Sequence, residues 1–339
     1  MHFPFPFLLV LYLNLCNQLP LISAIFTPLD AIYNEADAKK YFEVVSGAHS
    51  TVPQTCLNKT FPDERIRPKL VEYIAVRCDM LNSVCNALIV EDPVTRRLII
   101  GFRGTHSFTQ FFFEGMSLFL PDIPFYDLGY VNFYFYHVHQ YLWPGIEKDY
   151  DIVYTGHSLG GSIVTLLAMA TLELKLRTPD QILVMTFAEP RTGSLEFATN
   201  FDRMVKYRFR VLNGLDVLAR VPSCHKSFST WPGPNLFCDP RSKDGPYHHG
   251  VEVFYPHGMK DGAKYEICDG ADGEEIGCSA RFAVTFYNFG KGITDHRKYF
   301  DVMVGQYGKH GCDREKVYDE GEGSLGKIKT LVEFLNKYF

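Results

Sequence analysis

Short apolar runs rich in Ile, Val, Phe and Tyr punctuate the chain and read as β-strands. They are "YIAVRC" from Tyr73, "NALIVED" from Asn86, "RLIIGFRG" from Arg97, "DIVYTGH" from Asp151, "ILVMTFAEP" from Ile182, "VKYRFRVLN" from Val205, "VEVFYP" from Val251 and "RFAVTFYNFG" from Arg281. Between the later runs lie helical stretches. In one of these, Leu159 to Leu176, apolar residues lie nearly all round, which predicts a buried helix. Strand-helix alternation of this kind argues an α/β fold with a mostly parallel central sheet flanked by helices. Asn34 has the chemistry to cap a helix over 35–46, with Asp37 as its acidic partner and Gly47 as its stop. The aromatic run "YVNFYFYHVHQYLW" from Tyr130 predicts a packed helix ended by Pro144. "SLGKIKTLVEFLNKYF", capped by Ser324, predicts an amphipathic helix that covers the domain.

Residues 1–24 change the picture at the N-terminus. They contain no Asp, Glu, Lys or Arg and carry an apolar run from Phe5 to Leu15, followed by polar Asn17 and Gln18 and small Ser23 and Ala24. This pattern predicts a secretory signal peptide cleaved near Ala24, with a retained membrane anchor as the competing reading. Removing it discards Cys16 and leaves eight cysteines, an even number that suits an oxidising compartment. Short spacings pair Cys78 with Cys85, Cys224 with Cys238 and Cys268 with Cys278, which leaves Cys56 and Cys312 to join the two ends of the fold. "NKT" at Asn58 is a candidate glycosylation triplet. No repeat or low-complexity linker divides the remainder, so 25–339 is expected to form a single domain. The net charge of −5, from 34 Lys+Arg against 39 Asp+Glu, is interspersed and offers no basic surface for nucleic acid and no polybasic membrane patch.

Chemistry concentrates in "YTGHSLGGS", residues 154–162. An apolar strand enters this stretch and the buried helix leaves it, so Gly-x-Ser-x-Gly sits on a strand-to-helix elbow. Such a turn thrusts Ser158 outward, and its flanking glycines avoid Cβ clashes. The helix N-terminus beneath adds partial positive charge and the Leu159 N–H where an oxyanion develops. His157 adjoins Ser158 too closely along the backbone to act as its base and is read as a hydrogen-bonded core histidine.

"FRGT" (102–105), "GHSLGG" (156–161), "TFAEPRTG" (186–193), "NGLDVLARVP" (213–222) and "TDHRKYF" (294–300) occur in the order and approximate spacing of the class 3 (fungal-type) lipases. The chain resembles that family from about Tyr41 to Cys312. The resemblance implies an α/β-hydrolase fold over 25–339 and a Ser-Asp-His triad acting on lipid esters. Residue by residue it assigns the nucleophile to Ser158, the acid to Asp216, the base to His296, and the oxyanion donors to Thr105 and Leu159. The sequence departs from the family pattern at Ala188, where Gly is usual, at Ala219, where Pro is usual, and at Gln110-Phe111, where Asn-Trp is common.

The residues support the same assignment independently, because catalytic side chains of an open α/β sheet come from loops at the carboxyl ends of strands. His296 follows "RFAVTFYNF" through "GKGIT", which places it in such a loop, whereas His248 and His249 precede a strand. His225 lies among cysteines and prolines, and His257 and His310 lie in Gly-rich turns; these five are read as surface or structural histidines. Asp216 closes "YRFRVLNGLD", and its competitors Asp202 and Asp239 belong to a helix and neighbour Cys238 respectively. Eight of the thirteen residues from Phe108 to Leu120 are Phe, Met or Leu. Phe108, Phe111, Phe112, Phe113 and Met116 are therefore read as a lid over lipid acyl chains, with a core helix as the alternative. The expectation is a secreted serine ester hydrolase working on lipid at a lipid-water interface, without metal or cofactor and without a transmembrane segment in the mature chain. The alternatives are a phospholipase, a soluble-ester esterase or a serine peptidase on the same fold, and a catalytically silent lipid-binding protein.

Overall fold

The computed structural model describes residues 29, 32–77, 84–104, 121–141, 150–222, 245–269, 274, 277–282 and 288–316. In chain order the strands are β1 (Lys69–Arg77), β2 (Val84–Asp92), β3 (Arg97–Phe102), β4 (Asp122–Pro124), β5 (Tyr130–Asn132), β6 (Asp151–His157), β7 (Ile182–Phe187), β8 (Gly193–Ser194), β9 (Tyr207–Asn213), β10 (Pro246–Tyr247), β11 (Val251–Tyr255), β12 (Glu266–Cys268), β13 (Lys298–Tyr299) and β14 (Val302–Met303). The helices are α1 (Glu35–Gly47), α2 (Pro53–Thr60), α3 (Phe133–Tyr141), α4 (Leu159–Glu173), α5 (Leu195–Met204), α6 (Phe289–Arg297) and α7 (Val304–Lys309).

Eight of these strands form the central sheet in the order β1-β2-β3-β6-β7-β9-β11-β12. Its middle is parallel, from β3 through β6, β7 and β9 to β11, and antiparallel strands close both edges. Both faces of the middle strands are covered, which is why they read as unbroken apolar runs and not as alternating ones. On β6 the two-residue period divides the side chains: Ile152 and Tyr154 pack with α3 and α4, and Val153 packs with α1 and the C-terminal residues Tyr299 and Tyr307. Every residue of α4 from Leu159 to Leu172 is buried, as its all-round apolar pattern requires, but the helix stops at Glu173, short of the expected Leu176, and Leu174 and Leu176 beyond it are exposed. Burying each Leu or Ile contributes roughly 1.5–3 kcal/mol, so this helix seats the turn that precedes it firmly against the sheet.

Several expectations hold with small shifts. Asn34 Oδ1 caps α1 by accepting from the N–H groups of Ala36 (2.8 Å) and Asp37 (3.2 Å), and Gly47 is the last residue of the helix, followed by Ala48 as its cap. Cys56–Cys312 and Cys268–Cys278 are bonded, and Cys85 is disulfide-bonded as well. Cys78, Cys224 and Cys238 lie outside the described residues, as do the 1–24 segment, Thr105, the proposed lid residues and the C-terminal helix expected after Ser324. Among the described residues no helix is long and apolar enough to cross a membrane.

Two expectations are corrected. The strand read from Arg281 does not form at either end: Ser279–Arg281 is a 3-10 turn anchored through the disulfide at Cys278, and Phe289 opens α6. His296 consequently stands in the last turn of that helix and not in a loop after a strand. The aromatic run from Tyr130 likewise begins as β5 before becoming α3, because Val131 pairs with Gly193 of β8 in a second sheet ordered β10-β8-β5-β4.

Candidate active site

The elbow between β6 and α4 holds Ser158 at φ 59° and ψ −132°, a positive-φ backbone that costs an L-residue on the order of 1–3 kcal/mol. Neighbouring glycines make it possible. A Cβ at Gly156 would lie 2.3 Å from the Gly160 carbonyl oxygen, and one at Gly160 would lie 2.7 Å from that of Phe102. Backbone hydrogen bonds hold the corner, with the Ser158 N–H donating to Phe187 O (2.9 Å) and the Gly161 N–H to Ser158 O (2.8 Å). The strain is thus balanced by an apolar helix packed behind it and by the adjacent strand.

Asp216 and His296 approach this corner from two other elements. The imidazole Nδ1–H of His296 donates to Asp216 Oδ1 at 2.9 Å, which leaves Nε2 to accept from the Ser158 hydroxyl at 3.0 Å. All three side chains are almost wholly covered, with 1% exposure at Ser158 and 2% at Asp216 and His296. Asp216 is further held by the Tyr299 hydroxyl, which donates to Oδ2 at 2.7 Å, and by the Leu218 N–H, which donates to Oδ1 at 2.9 Å. Burial pushes the Asp216 carboxyl up, but attraction to His296 and the hydrogen bonds from His296 and Tyr299 outweigh it and hold the group below the usual carboxylate range. Burial and the neighbouring Asp216 carboxylate push the Tyr299 phenol well up, so it remains a donor. An imidazole so oriented can take a hydroxyl proton while its other nitrogen stays fixed in one tautomer.

His157 is a hydrogen-bonded core histidine, as expected. Its Nε2–H donates to the His296 carbonyl at 2.8 Å, and its ring lies 4.9 Å from that of His296. Burial, followed by repulsion from His296, lowers its pKa from 6.5 to about 3, so it is neutral wherever the protein is folded at ordinary pH. Leu159 is the first residue of α4, and its N–H belongs to the unpaired set that every helix start presents. The chain leading to residue 105 passes directly against the elbow, because a Cβ at Gly104 would lie 2.7 Å from His157 O and 2.8 Å from Ser158 Cβ.

The competing residues are occupied elsewhere. His248 Nε2 is 2.7 Å from Ala219 O, and its backbone N–H donates to Glu274, which forms a two-pronged ion pair with Arg191 at 2.7 and 2.9 Å. Asp202 accepts from Arg208 and from the Gly250 N–H, and His257 and His310 are exposed. His225 and Asp239 lie outside the described residues. Glu252, Cys268 and Cys278 are close enough to suggest a metal cluster, but the two sulfurs are joined to each other and Glu252 already accepts from Arg210 and the Ser279 N–H.

Sequence reasoning missed Tyr299, three residues beyond His296 in the same motif, and Glu189. The Glu189 carboxylate is buried and accepts from the hydroxyls of Thr165 (2.8 Å), Thr186 (2.6 Å) and Thr192 (2.9 Å), with His249 Nε2 at 3.3 Å. This cluster ties α4 to the turn after β7, where Ala188 adopts φ 57° in the place the family usually gives to Gly. The donors converge only in three dimensions, and no local pattern announces them.

The model of the class 3 lipases matches residues 99–226. A Caenorhabditis elegans protein named Lipase ZK262.3 is 36% identical over 321 residues, covering 91% of this chain and 90% of its own length. A secreted mono- and diacylglycerol lipase of Malassezia restricta is 32% identical over 116 residues, covering 34% of this chain and 38% of the relative. Among solved structures, a lipase from Rhizopus microsporus var. chinensis superposes with a TM-score of 0.59 at 23% identity over 83% of this chain and 94% of its own, a likeness of fold. With a relative matched along nearly its whole length and the α/β-hydrolase architecture in place, this carboxylic ester hydrolase belongs to the class 3 lipase family.

Proposed function

We propose that the protein is a secreted lipase that hydrolyses lipid esters through an acyl-enzyme on Ser158, with His296 as general base and then general acid and Asp216 as its orienting carboxylate. The observation that carries this reading is the unbroken chain from the Ser158 hydroxyl through both ring nitrogens of His296 to Asp216, at 3.0 and 2.9 Å. In the first step the Ser158 oxygen bonds to the ester carbonyl carbon while its proton passes to His296 Nε2. The tetrahedral oxyanion is received by the N–H groups of Leu159 and Thr105. Collapse expels the alcohol, protonated by His296, and water then repeats the sequence to release the acid.

The near-complete cover over the three side chains implies that substrate reaches Ser158 only after the cover moves. The apolar 108–120 stretch, with Phe108, Phe111, Phe112, Phe113 and Met116, is the part whose composition suits that role at a lipid surface. Residues 1–24 are assigned to export, 25–339 to a single α/β-hydrolase domain, and exposed Asn58 at the end of α2 to glycan attachment. The bonded cysteines support an extracellular location.

The test is hydrolysis of emulsified long-chain triacylglycerol and of phospholipid vesicles by the wild-type enzyme and Ser158→Ala, together with labelling by a fluorophosphonate. The expected result is labelled wild type and an unlabelled variant reduced to background activity. An active Ser158→Ala enzyme would exclude the mechanism. Secretion is checked separately by recovery of a chain beginning near Ile25 from culture medium, and the glycan by a mobility shift after amidase treatment that Asn58→Gln abolishes.

A further inference from the structure

His296 and Asp216 lie eighty residues apart on different elements, and no covalent bond fixes the helix of the one against the turn of the other. A separate set of hydrogen bonds does so. At the end of β9, Asn213 extends its amide to the open C-terminal end of α6, where Nδ2 donates to the carbonyls of Asp295 (3.1 Å) and Lys298 (2.6 Å). In return the Asp295 carboxylate reaches back across the turn and accepts the Leu215 N–H on Oδ2 at 2.8 Å. Between these two contacts Gly214 adopts φ 51°, and a Cβ there would lie 2.5 Å from Asp295 Oδ2. Gly292 on α6 admits the same close approach from the other side, since a Cβ on it would lie 2.7 Å from Leu215 O.

We propose that Asp295 and Asn213 are positioning residues for the reaction: together they latch the helix that carries the base to the turn that carries the acid. This inference rests on the Ser158-His296-Asp216 mechanism above. Asp295 directly precedes His296, and Leu215 directly precedes Asp216, so the Asp295–Leu215 bond runs beside the His296–Asp216 bond as a second rung between the same two segments. The alternative duty of Asp295 is its ion pair with Lys291, one turn earlier on the same helix. Lys291 is 61% exposed, and an exposed i,i+4 pair does little beyond local helix support. Asn213 is equally hard to explain as a plain stability device, because its Oδ1 is buried without a partner while only its Nδ2 is used. A displacement of about 1 Å in a reacting group can cost on the order of 100-fold in rate, so a latch at this point acts on turnover more than on substrate affinity.

The test compares Asp295→Ala, Asp295→Asn and Asn213→Ser in the full chain, reading kcat, KM, thermal midpoint and the downfield proton signal of the His296 Nδ1–H···Asp216 bond. Asp295→Ala is expected to lower kcat by roughly 10- to 100-fold with KM within about 2-fold, and to shift or broaden that signal. Asp295→Asn keeps an oxygen for the Leu215 N–H and is expected to retain kcat within about 3-fold and the signal unshifted, although it loses the Lys291 pair. Asn213→Ser, which leaves Asp295 intact, is expected to lower kcat by about 10-fold. It carries the test if Asp295→Ala fails to fold. Wild-type kcat and an unmoved proton signal in Asp295→Ala, or in Asn213→Ser where the first is unfolded, would overturn the latch. Equal losses in Asp295→Ala and Asp295→Asn would also overturn it, in favour of the charge. Ser158→Ala is run alongside: if that enzyme is active the triad reading itself fails, whereas an inactive Ser158→Ala beside a fully active Asp295→Ala removes the latch alone.

Discussion

The corner that presents Ser158 and the junction that brings His296 to Asp216 meet within hydrogen-bonding distance, yet they are built on opposite principles. The corner is held by steric fit: buried α4 behind it, glycines where backbones nearly touch, and one strained residue at φ 59°. The junction is held by polar bonds among Asn213, Leu215, Asp295, Tyr299 and Asp216, with a short helix of nine residues as its base. Steric corners fail abruptly, because backbone atoms cannot yield; polar junctions weaken by degrees, one bond at a time.

The largest expected break lies across the junction. Asp216→Asn removes the carboxylate that fixes the His296 tautomer and is expected to lower kcat by about 10⁴-fold with little change in KM, measured by steady-state kinetics on an emulsified ester. At the corner, Gly156→Ala forces a Cβ onto the Gly160 carbonyl and is expected to cost roughly 3 kcal/mol or more, read as a collapse of the thermal midpoint together with activity. If that variant folds normally, the steric account of the corner is wrong. Tyr299→Phe deletes one of several bonds to Asp216, so a loss near 10-fold in kcat is expected, and a loss as large as that of Asp216→Asn would show that the polar bonds do not act by degrees.

Acid should expose the shared dependence of both regions. His157 titrates near 3 in the folded protein against 6.5 when unfolded, so the unfolded chain binds the extra proton. Stability is therefore complete above pH 6.5 and falls by up to about 1.4 kcal/mol per pH unit as pH drops towards 3. Asp216 acts in the same direction at lower pH: its depressed folded value adds stability above the ordinary carboxylate range, and this is lost as pH falls through the folded value. Denaturant midpoints measured across pH 4–8 should fall less steeply in His157→Gln. The smallest effect is expected at Ala188→Gly, which relieves a positive φ of 57° and should raise stability by roughly 1 kcal/mol or less, since glycine's added freedom in the unfolded state offsets part of the gain. A destabilised Ala188→Gly enzyme would mean that the Ala188 methyl, not the Glu189 network, holds that turn.

The corner was legible in the amino-acid order because its causes are local in sequence: an apolar strand, Gly-x-Ser-x-Gly and a helix apolar on every side must follow one another for the turn to form. The junction was only half legible. Asp216 follows its strand, as the apolar run before it predicts, but the run from Arg281 predicts a strand and loop before His296 where a helix stands. The stretch from Phe282 to Tyr287 is rich in residues of high β-propensity, whereas the helix from Phe289 is stabilised at its far end by Asn213, more than seventy residues earlier in the chain. Glu189 escaped for the same reason, since a carboxylate in an apolar run has a partner only once Thr165, Thr186 and Thr192 have been folded around it.

Amino-acid order thus settles the α/β alternation, the strand-to-helix turn at Ser158 and the chemical types available to the site, all set by periodicity and backbone sterics over a few neighbouring residues. Packing in three dimensions selects which nitrogen of His296 faces which oxygen, sets Tyr299 and Asn213 to brace the pair, and lays Asp295 on the Leu215 amide. Such hydrogen bonds depend on positions tens of residues apart being held to within a few tenths of an ångström, and only the packed sheet and its helices impose that precision.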